Sequence, residues 1–378
     1  MTSPRLEIDL DKIQYNASAL VSRLGHRGIS VTGVTKACMG EPRFARALLS
    51  AGVKTLGDSR IENIETLRLS GIATPAVLMR SPMLSQVERV VRHATMSFNS
   101  ELDVISALST AARKANRRHG VLLMVELGDL RDGIMPAELV ETVRQTLRFP
   151  NIDLNGISTN LACRSGVSPD SRNMGVLSRL ADVIETECGS AMRMVSGGNS
   201  SNLQWALSGA SIGRINNIRL GEAILLGLDP LQRQPIPGLY TDAIALVAEV
   251  IESKKKPSQP WGTIAQTTFG SSATFQDIGT ITQSIVAIGH QDVDPQGLTP
   301  PPDIDILAAS SDHLMLNTSK HEVKIGSEIS FQPNYSTLLR AMTSPFVAKA
   351  YTETKQQTIP CPDFRDQHQP KGEAPRWH

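Results

Sequence analysis

From Val31 onward one unit recurs: a short apolar strand, a turn, then an amphipathic helix. Strand candidates begin at Val31, Thr55, Ala76, Thr95, Val121, Asp153, Met192 and Asn216, between 19 and 39 residues apart. Each interval has room for one strand and one helix. The helical period is plain in Glu101–Arg117, where Leu102, Ile105, Leu108 and Ala112 share a face. Eight consecutive βα units imply a closed parallel (β/α)8 barrel, an α/β fold whose chemistry sits on the loops after the strands.

At 378 residues the chain is longer than such a barrel needs. After Leu228, Pro230, Pro235 and Pro237 interrupt the pattern. Strand-like runs follow at Ala243–Ile251, Thr263–Thr268, Ile278–Ile288, Ile304–Ala308 and Glu328–Gln332, which implies a second, mostly β C-terminal domain. The first strand candidate, Leu6–Leu10, leads into a helix with Ile13, Ala17, Leu20 and Leu24 on one face, and Asp11 is a candidate cap. We assign 11–229 to the barrel, 1–10 plus 230–352 to the β-rich domain, and 353–378 to a flexible, polar tail.

A net charge of +1 argues against nucleic acid or an anionic membrane as partner. No apolar run approaches the roughly 20 residues that span a bilayer, and the N-terminus lacks the apolar core of a signal peptide. Cys38, Cys163, Cys188 and Cys361 are scattered, without metal-type spacing. Free thiols in a reducing cytoplasm are the simplest expectation.

The strand-end rule selects the candidate site. Lys36 ends the first barrel strand in GVTKAC and suits covalent capture of an aldehyde; the alternative is a surface lysine. Ser196–Ser201, SGGNSS, follows the seventh strand, where such barrels commonly bind phosphate. A helix begun by Asn202 would add its N-terminus. Arg219 and Gly221 lie on the eighth strand. Arg219 could hold a carboxylate or a heterocycle nitrogen, or pair with Glu222. Arg131 suits a substrate carboxylate, although Glu126, Asp129 or Asp132 could absorb its charge. Asn160 ends the sixth strand and could bond a cofactor or a loop backbone; Cys163 lies close by. In the second domain, Gly289–Asp292 and Ser310–His313 form polar clusters in which His290 and His313 are acid–base candidates. Tyr335 stands beside the turn at Pro333–Asn334.

Several segments together resemble the fold-type III pyridoxal-phosphate enzymes, the alanine racemase family, to about residue 350: LEIDLDKIQYNASAL (Leu6–Leu20), VTKA (Val34–Ala37), SGGNSSNL (Ser196–Leu203), IRLGEAILLG (Ile218–Gly227) and NYSTLLRA (Asn334–Ala341). The resemblance implies pyridoxal 5'-phosphate joined to Lys36 as an imine. It implies contacts to that cofactor from Asn160, Asn199, Ser200, Ser201, Arg219, Gly221, Glu222 and Tyr335, with Arg219 at the ring nitrogen. MVELGDLRDGI, TNLAC, IGHQDVD and SSDHLML are most similar to the ornithine/lysine racemase branch. That implies an isomerase acting on basic amino acids by removal and return of the Cα proton, with Lys36 as one base. His290 or Asp312 would act on the opposite face, Arg131 on the carboxylate, and Asp292, Asp305 or Asp312 on the distal ammonium. A homodimer with composite sites is implied as well.

The sequence also departs from alanine racemase. Met124 stands where that enzyme has a modified lysine, Asn160 where it has a histidine over the ring, and His290 where it has its second catalytic tyrosine. Alternatives are a fold-type III decarboxylase, whose β-domain cysteine followed by acidic residues is missing here, and a non-catalytic pyridoxal-phosphate-binding protein.

Overall fold

A computed structural model of the chain describes residues 3–266, 276–321 and 323–354. The predicted flexible tail beyond residue 354, and Cys361 within it, lie outside the described residues.

The elements alternate as the sequence pattern demands. After β1 (Arg5–Asp9) and α1 (Leu10–Gly25) come β2 (Ser30–Val34), α2 (Pro42–Ser50), β3 (Thr55–Asp58), α3 (Ile61–Leu69), β4 (Ala76–Leu78), α4 (Val87–His93), β5 (Met96–Asn99) and α5 (Leu102–Lys114). The series continues with β6 (His119–Met124), α6 (Leu139–Thr146), β7 (Ile152–Ser158), α7 (Ser171–Cys188), β8 (Met194–Ser196), α8 (Leu203–Leu207), β9 (Asn217–Leu220) and α9 (Glu222–Leu226). Strands β2 to β9 form a closed parallel barrel in sequence order, with β9 hydrogen-bonded to β2.

Burial explains the pattern. In α1, Ile13, Ala17, Leu20 and Leu24 are fully buried, and in α5 so are Ile105, Leu108 and Ala112. These apolar faces join the main core. Val77, Phe98, Leu122 and Met124 form a separate cluster from strands β4, β5 and β6. The α1 cap differs from expectation. The helix starts at Leu10, so Asp9, in extended conformation, accepts from the Lys12 amide, while Asp11 falls in the first turn and accepts from Thr354.

The second domain contains β10 (Ile244–Pro257), β11 (Thr280–Val286), β12 (Leu298–Thr299), β13 (Asp305–Ala309), β14 (Leu314–Asn317), β15 (Glu328–Pro333), α10 (Tyr335–Thr343) and β16 (Ala348–Thr352). Its sheet runs β12-β15-β10-β11-β14-β13, and β1 adds to it, antiparallel to β10 and parallel to β16. The chain thus begins in the sheet and returns to it after the barrel. The expected strand at Thr263–Thr268 does not form over 263–266, and residues 267 and 268 lie outside the described residues. Residues 263–266 are exposed and have no strand partner among the described residues, so their backbone gains no extended ladder there.

Candidate active site

A cavity of about 660 Å³ opens at the C-terminal mouth of the barrel. It takes residues from the strand ends, from the segment after the barrel (Pro230 and Arg233) and, beyond them, Tyr335. The volume suits a small organic ligand. Of the residues singled out in the sequence, Lys36, Arg131, Asn160, Asn199, Ser200, Arg219, Gly221, Glu222 and Tyr335 share this lining.

Lys36 begins a short 3-10 turn after β2. Its side chain is open to the cavity, yet the cavity walls crowd it on the other sides. This burial lowers its pKa below the ordinary lysine value; Cys163 and Asp58 oppose the shift, and Arg131 and Arg219 add to it. The turn is anchored by Asp58, a fully buried carboxylate at the end of β3. Asp58 accepts from Thr35 Oγ1 at 2.7 Å, from the Arg60 amide and from Asn63 Nδ2, each at 2.9 Å. Sequence reasoning missed Asp58, although its place at the end of TLGD follows the same strand-end rule.

Arg219 is buried in the barrel. Its Nη1 donates to Ser158 Oγ and Ser196 Oγ, both at 2.7 Å, and its Nη2 to Thr159 O at 2.8 Å and Asn160 Oδ1 at 3.2 Å. The guanidinium carbon lies 4.9 Å from the Phe98 ring centroid. The alternative pairing with Glu222 does not form, because Glu222 bonds Arg233 instead. Arg219 therefore carries a buried charge with no carboxylate among its hydrogen-bond partners. Burial, with repulsion from Arg131, pushes its pKa down to about 9.

The 196–201 loop has a built shape. Gly198 has φ +141°, and a Cβ there would stand 2.1 Å from Asn202 Oδ1, so only glycine fits. Asn199 caps the 3-10 turn Ser200–Asn202 and also donates to Asn160 Oδ1 and Leu161 O. Ser200 Oγ accepts from the Gly221 and Ala223 amides. Ser201, buried beneath the turn, does not reach the cavity lining. The helix expected from Asn202 is preceded by this turn and spans five residues, so local amides and hydroxyls, not a long helix, make the cradle.

Arg131 is held on two sides. Its Nε donates to Asp132 Oδ1 at 2.5 Å and its Nη1 to Cys163 Sγ at 3.3 Å. The other acids considered for it are used elsewhere. Asp129, fully buried, accepts from the backbone amides of Cys163, Arg164, Ser165 and Val167, and Glu126 from those of Gly128 and Leu130. The loops after β6 and β7 are thereby stitched into one wall, a feature no sequence motif announces.

Tyr335 opens α10, which Asn334 caps, and its ring centroid lies 5.8 Å from Lys36 Nζ. Burial raises its pKa above the usual phenol value. His290 and Asp312 do not line the cavity. Their loops meet through backbone bonds, the His290 amide donating to Ser310 O, while the Asp312 carboxylate stays within its own loop, its Oδ1 2.8 Å from His313 Nδ1. Asp292 accepts from Ser344 Oγ, and Asp305 lies exposed on β13.

The residues present fit pyridoxal phosphate. An amine of lowered pKa, a buried arginine lacking a counter-carboxylate and a glycine-shaped loop of amides and hydroxyls lie around one cavity. Asn160 Nδ2 is buried with no partner among the described residues, a donor left for a ligand at this wall.

Comparison with known proteins agrees with this arrangement. The family described as alanine racemase, N-terminal domain, matches residues 8–230. A lysine racemase of Thermotoga maritima is 39% identical over 93% of the chain and 99% of its own length. An ornithine racemase of Acetoanaerobium sticklandii is 37% identical over 92% and 99%. Among solved structures, alanine racemase from Streptomyces coelicolor aligns with a TM-score of 0.73 at 18% identity, covering 93% of this chain and 98% of that one.

Proposed function

The chain belongs to the alanine racemase family, and from that premise we propose that it is a pyridoxal-phosphate-dependent racemase of basic amino acids such as lysine and ornithine. The observation that carries this reading is the meeting of Lys36, Arg219, Asn199 and Ser200 around one cavity. Two relatives of nearly equal length, a lysine and an ornithine racemase, support the substrate class.

In this proposal Lys36 would hold the cofactor covalently until the substrate's amine takes its place and releases Lys36 as a free amine. Asn199, Ser200 and the amides of Gly221 and Glu222 surround its phosphate, with Tyr335 completing that end; Ser201, off the cavity lining, is left out of this set. Arg219, fixed by Ser158 and Ser196, faces the ring nitrogen, and Asn160 bonds the ring's edge. When bound, the cofactor supplies an electron-withdrawing ring that stabilises negative charge at Cα. Lys36 Nζ, once released and with its pKa lowered by burial, would take the proton from one face. Arg131, steadied by Asp132 and Cys163, orients the substrate carboxylate.

The opposite-face acid comes from a second copy of the chain. His290 and Asp312, on the β domain outside this chain's own cavity, are the candidates, and a C2 homodimer with composite sites follows. The distal ammonium would meet Asp292, Asp305 or Asp312 of that copy. The setting is a reducing cytoplasm, in which Cys163 is a free thiol.

The test is to incubate the protein with single L- and D-amino acids in D2O. Cα deuteration with inversion of lysine and ornithine in both directions is expected. Release of CO2, or no exchange with any amino acid, overturns the proposal.

A further inference from the structure

Four arginines line the cavity, and three are committed. Arg219 is spent on Ser158, Ser196, Thr159 and Asn160. Arg131 is bonded to Asp132 and Cys163, and Arg233 to Glu222. Arg80 differs: it lies on the lining, follows β4, and has no hydrogen bond or ion pair among the described residues. No sequence motif marked it.

The lining carries Lys36, Arg80, Arg131, Arg219 and Arg233 against two carboxylates, Asp132 and Glu222. Both carboxylates pair with an arginine. The charges left over are Lys36, Arg219 and Arg80. The first two face the proposed cofactor, which leaves Arg80 as a cation without an assigned anion.

Its place in the barrel says where that anion lies. In the closed order β2 to β9, β4 stands four strands from β8 and so across the mouth from it. The phosphate cradle follows β8; Arg80 follows β4. The cavity thus has an anion receptor at each side, flanked on Arg80's side by Ser59 and Ser81. A ligand with a phosphate at one end and a carboxylate at the other matches that layout. Arg131 alone is a poor second receptor, because Asp132 already neutralises it at 2.5 Å. A free planar guanidinium is suited to a carboxylate as a two-pronged donor.

We propose that Arg80 is a substrate-binding residue that takes the α-carboxylate of the amino acid, with Arg131 beside it as an orienting group. The assignment rests on reading the cavity as an amino-acid site.

The test uses two ligands that bind without turnover, phosphopyridoxyl-L-lysine and phosphopyridoxyl-cadaverine, which differ only in the carboxylate. Their affinities for cofactor-free wild type, Arg80→Gln and Arg80→Lys are measured by calorimetry. Arg80 is exposed and has no hydrogen bond or ion pair among the described residues, so both variants should fold. Wild type should prefer the carboxylated ligand. Arg80→Gln should lose about 10- to 100-fold of that preference, the range of a charge-assisted hydrogen bond. Its affinity for the cadaverine adduct should stay constant, and Arg80→Lys should recover part of the loss. An unchanged preference, an equal loss for both ligands, or tighter binding of both overturns the assignment of Arg80 alone. Failure of wild type to bind either ligand overturns the amino-acid-site reading and this assignment with it.

Discussion

Acidification should weaken the barrel at His119. It is the first residue of β6, fully buried, and its Nε2 lies 2.8 Å from Ser97 Oγ. Its Nδ1 has no partner among the described residues, and no carboxylate is among its hydrogen-bond partners. Burial lowers its pKa from 6.5 to about 4. The folded state therefore binds its proton more weakly than the unfolded chain. Its neutral form supports folding fully above the unfolded value, and that support is lost as the pH falls from 6.5 towards 4. Between about pH 7.5 and pH 5 the cost from this residue is about 2 kcal/mol. Urea unfolding followed by circular dichroism at fixed protein concentration measures it, with His119→Gln as reference, since the amide keeps a bond to Ser97 without titrating. The gap in stability between wild type and variant should move against wild type by that amount on acidification. A gap that stays constant with pH would refute the reasoning.

Three further outcomes follow from the site. Gly198→Ala forces a side chain into positive φ against Asn202, a strain of about 1–3 kcal/mol, so pyridoxal phosphate should bind at least tenfold more weakly in a fluorescence titration. Arg219→Met takes from the buried Thr159 carbonyl its 2.8 Å donor, leaving only Ser158 Oγ at 3.4 Å, and should cost about 1–3 kcal/mol of stability, read as a lower urea midpoint, and weaken the cofactor as well. Because burial lowers the Lys36 pKa, the rate at which cofactor-free protein recovers its visible absorbance with added pyridoxal phosphate should rise with pH and level off below 10.5, the ordinary lysine value. A rate still climbing at that pH would place Lys36 in water-like surroundings.

The barrel was legible because its signal is local and repeated. Each strand is a short apolar run, and each helix keeps its apolar residues on one face, as Ile105, Leu108 and Ala112 do in α5. The β domain was less so. Leu314–Asn317 pairs with both β11 and β13, yet it sits in SSDHLML, where polar residues hide the strand. Ala348–Thr352 owes its strand to parallel pairing with β1, more than 300 residues away in sequence, which no window can sense. Thr263–Thr268 shows the converse: Thr263 and Ile264 favour a strand, yet 263–266 find no partner strand among the described residues.

The site divides in the same way. Lys36, Arg219 and Asn199 stand at strand ends, so the position of each follows from counting strands. What holds them is set by contacts between loops far apart in sequence. Asp129 gathers the amides of Cys163, Arg164, Ser165 and Val167 across more than 30 positions, and Asp58 fixes the turn of Lys36 from the next strand. Arg80 is recognised only by what the other three cavity arginines already bind.

The account stands most directly on Lys36. Protein isolated with its cofactor should be reduced with borohydride, digested and analysed by peptide mass spectrometry. The account predicts a phosphopyridoxyl mass on the peptide carrying Lys36, and its absence from Lys36→Ala. The same mass on a different lysine, or a visible cofactor spectrum undiminished in Lys36→Ala, would contradict it.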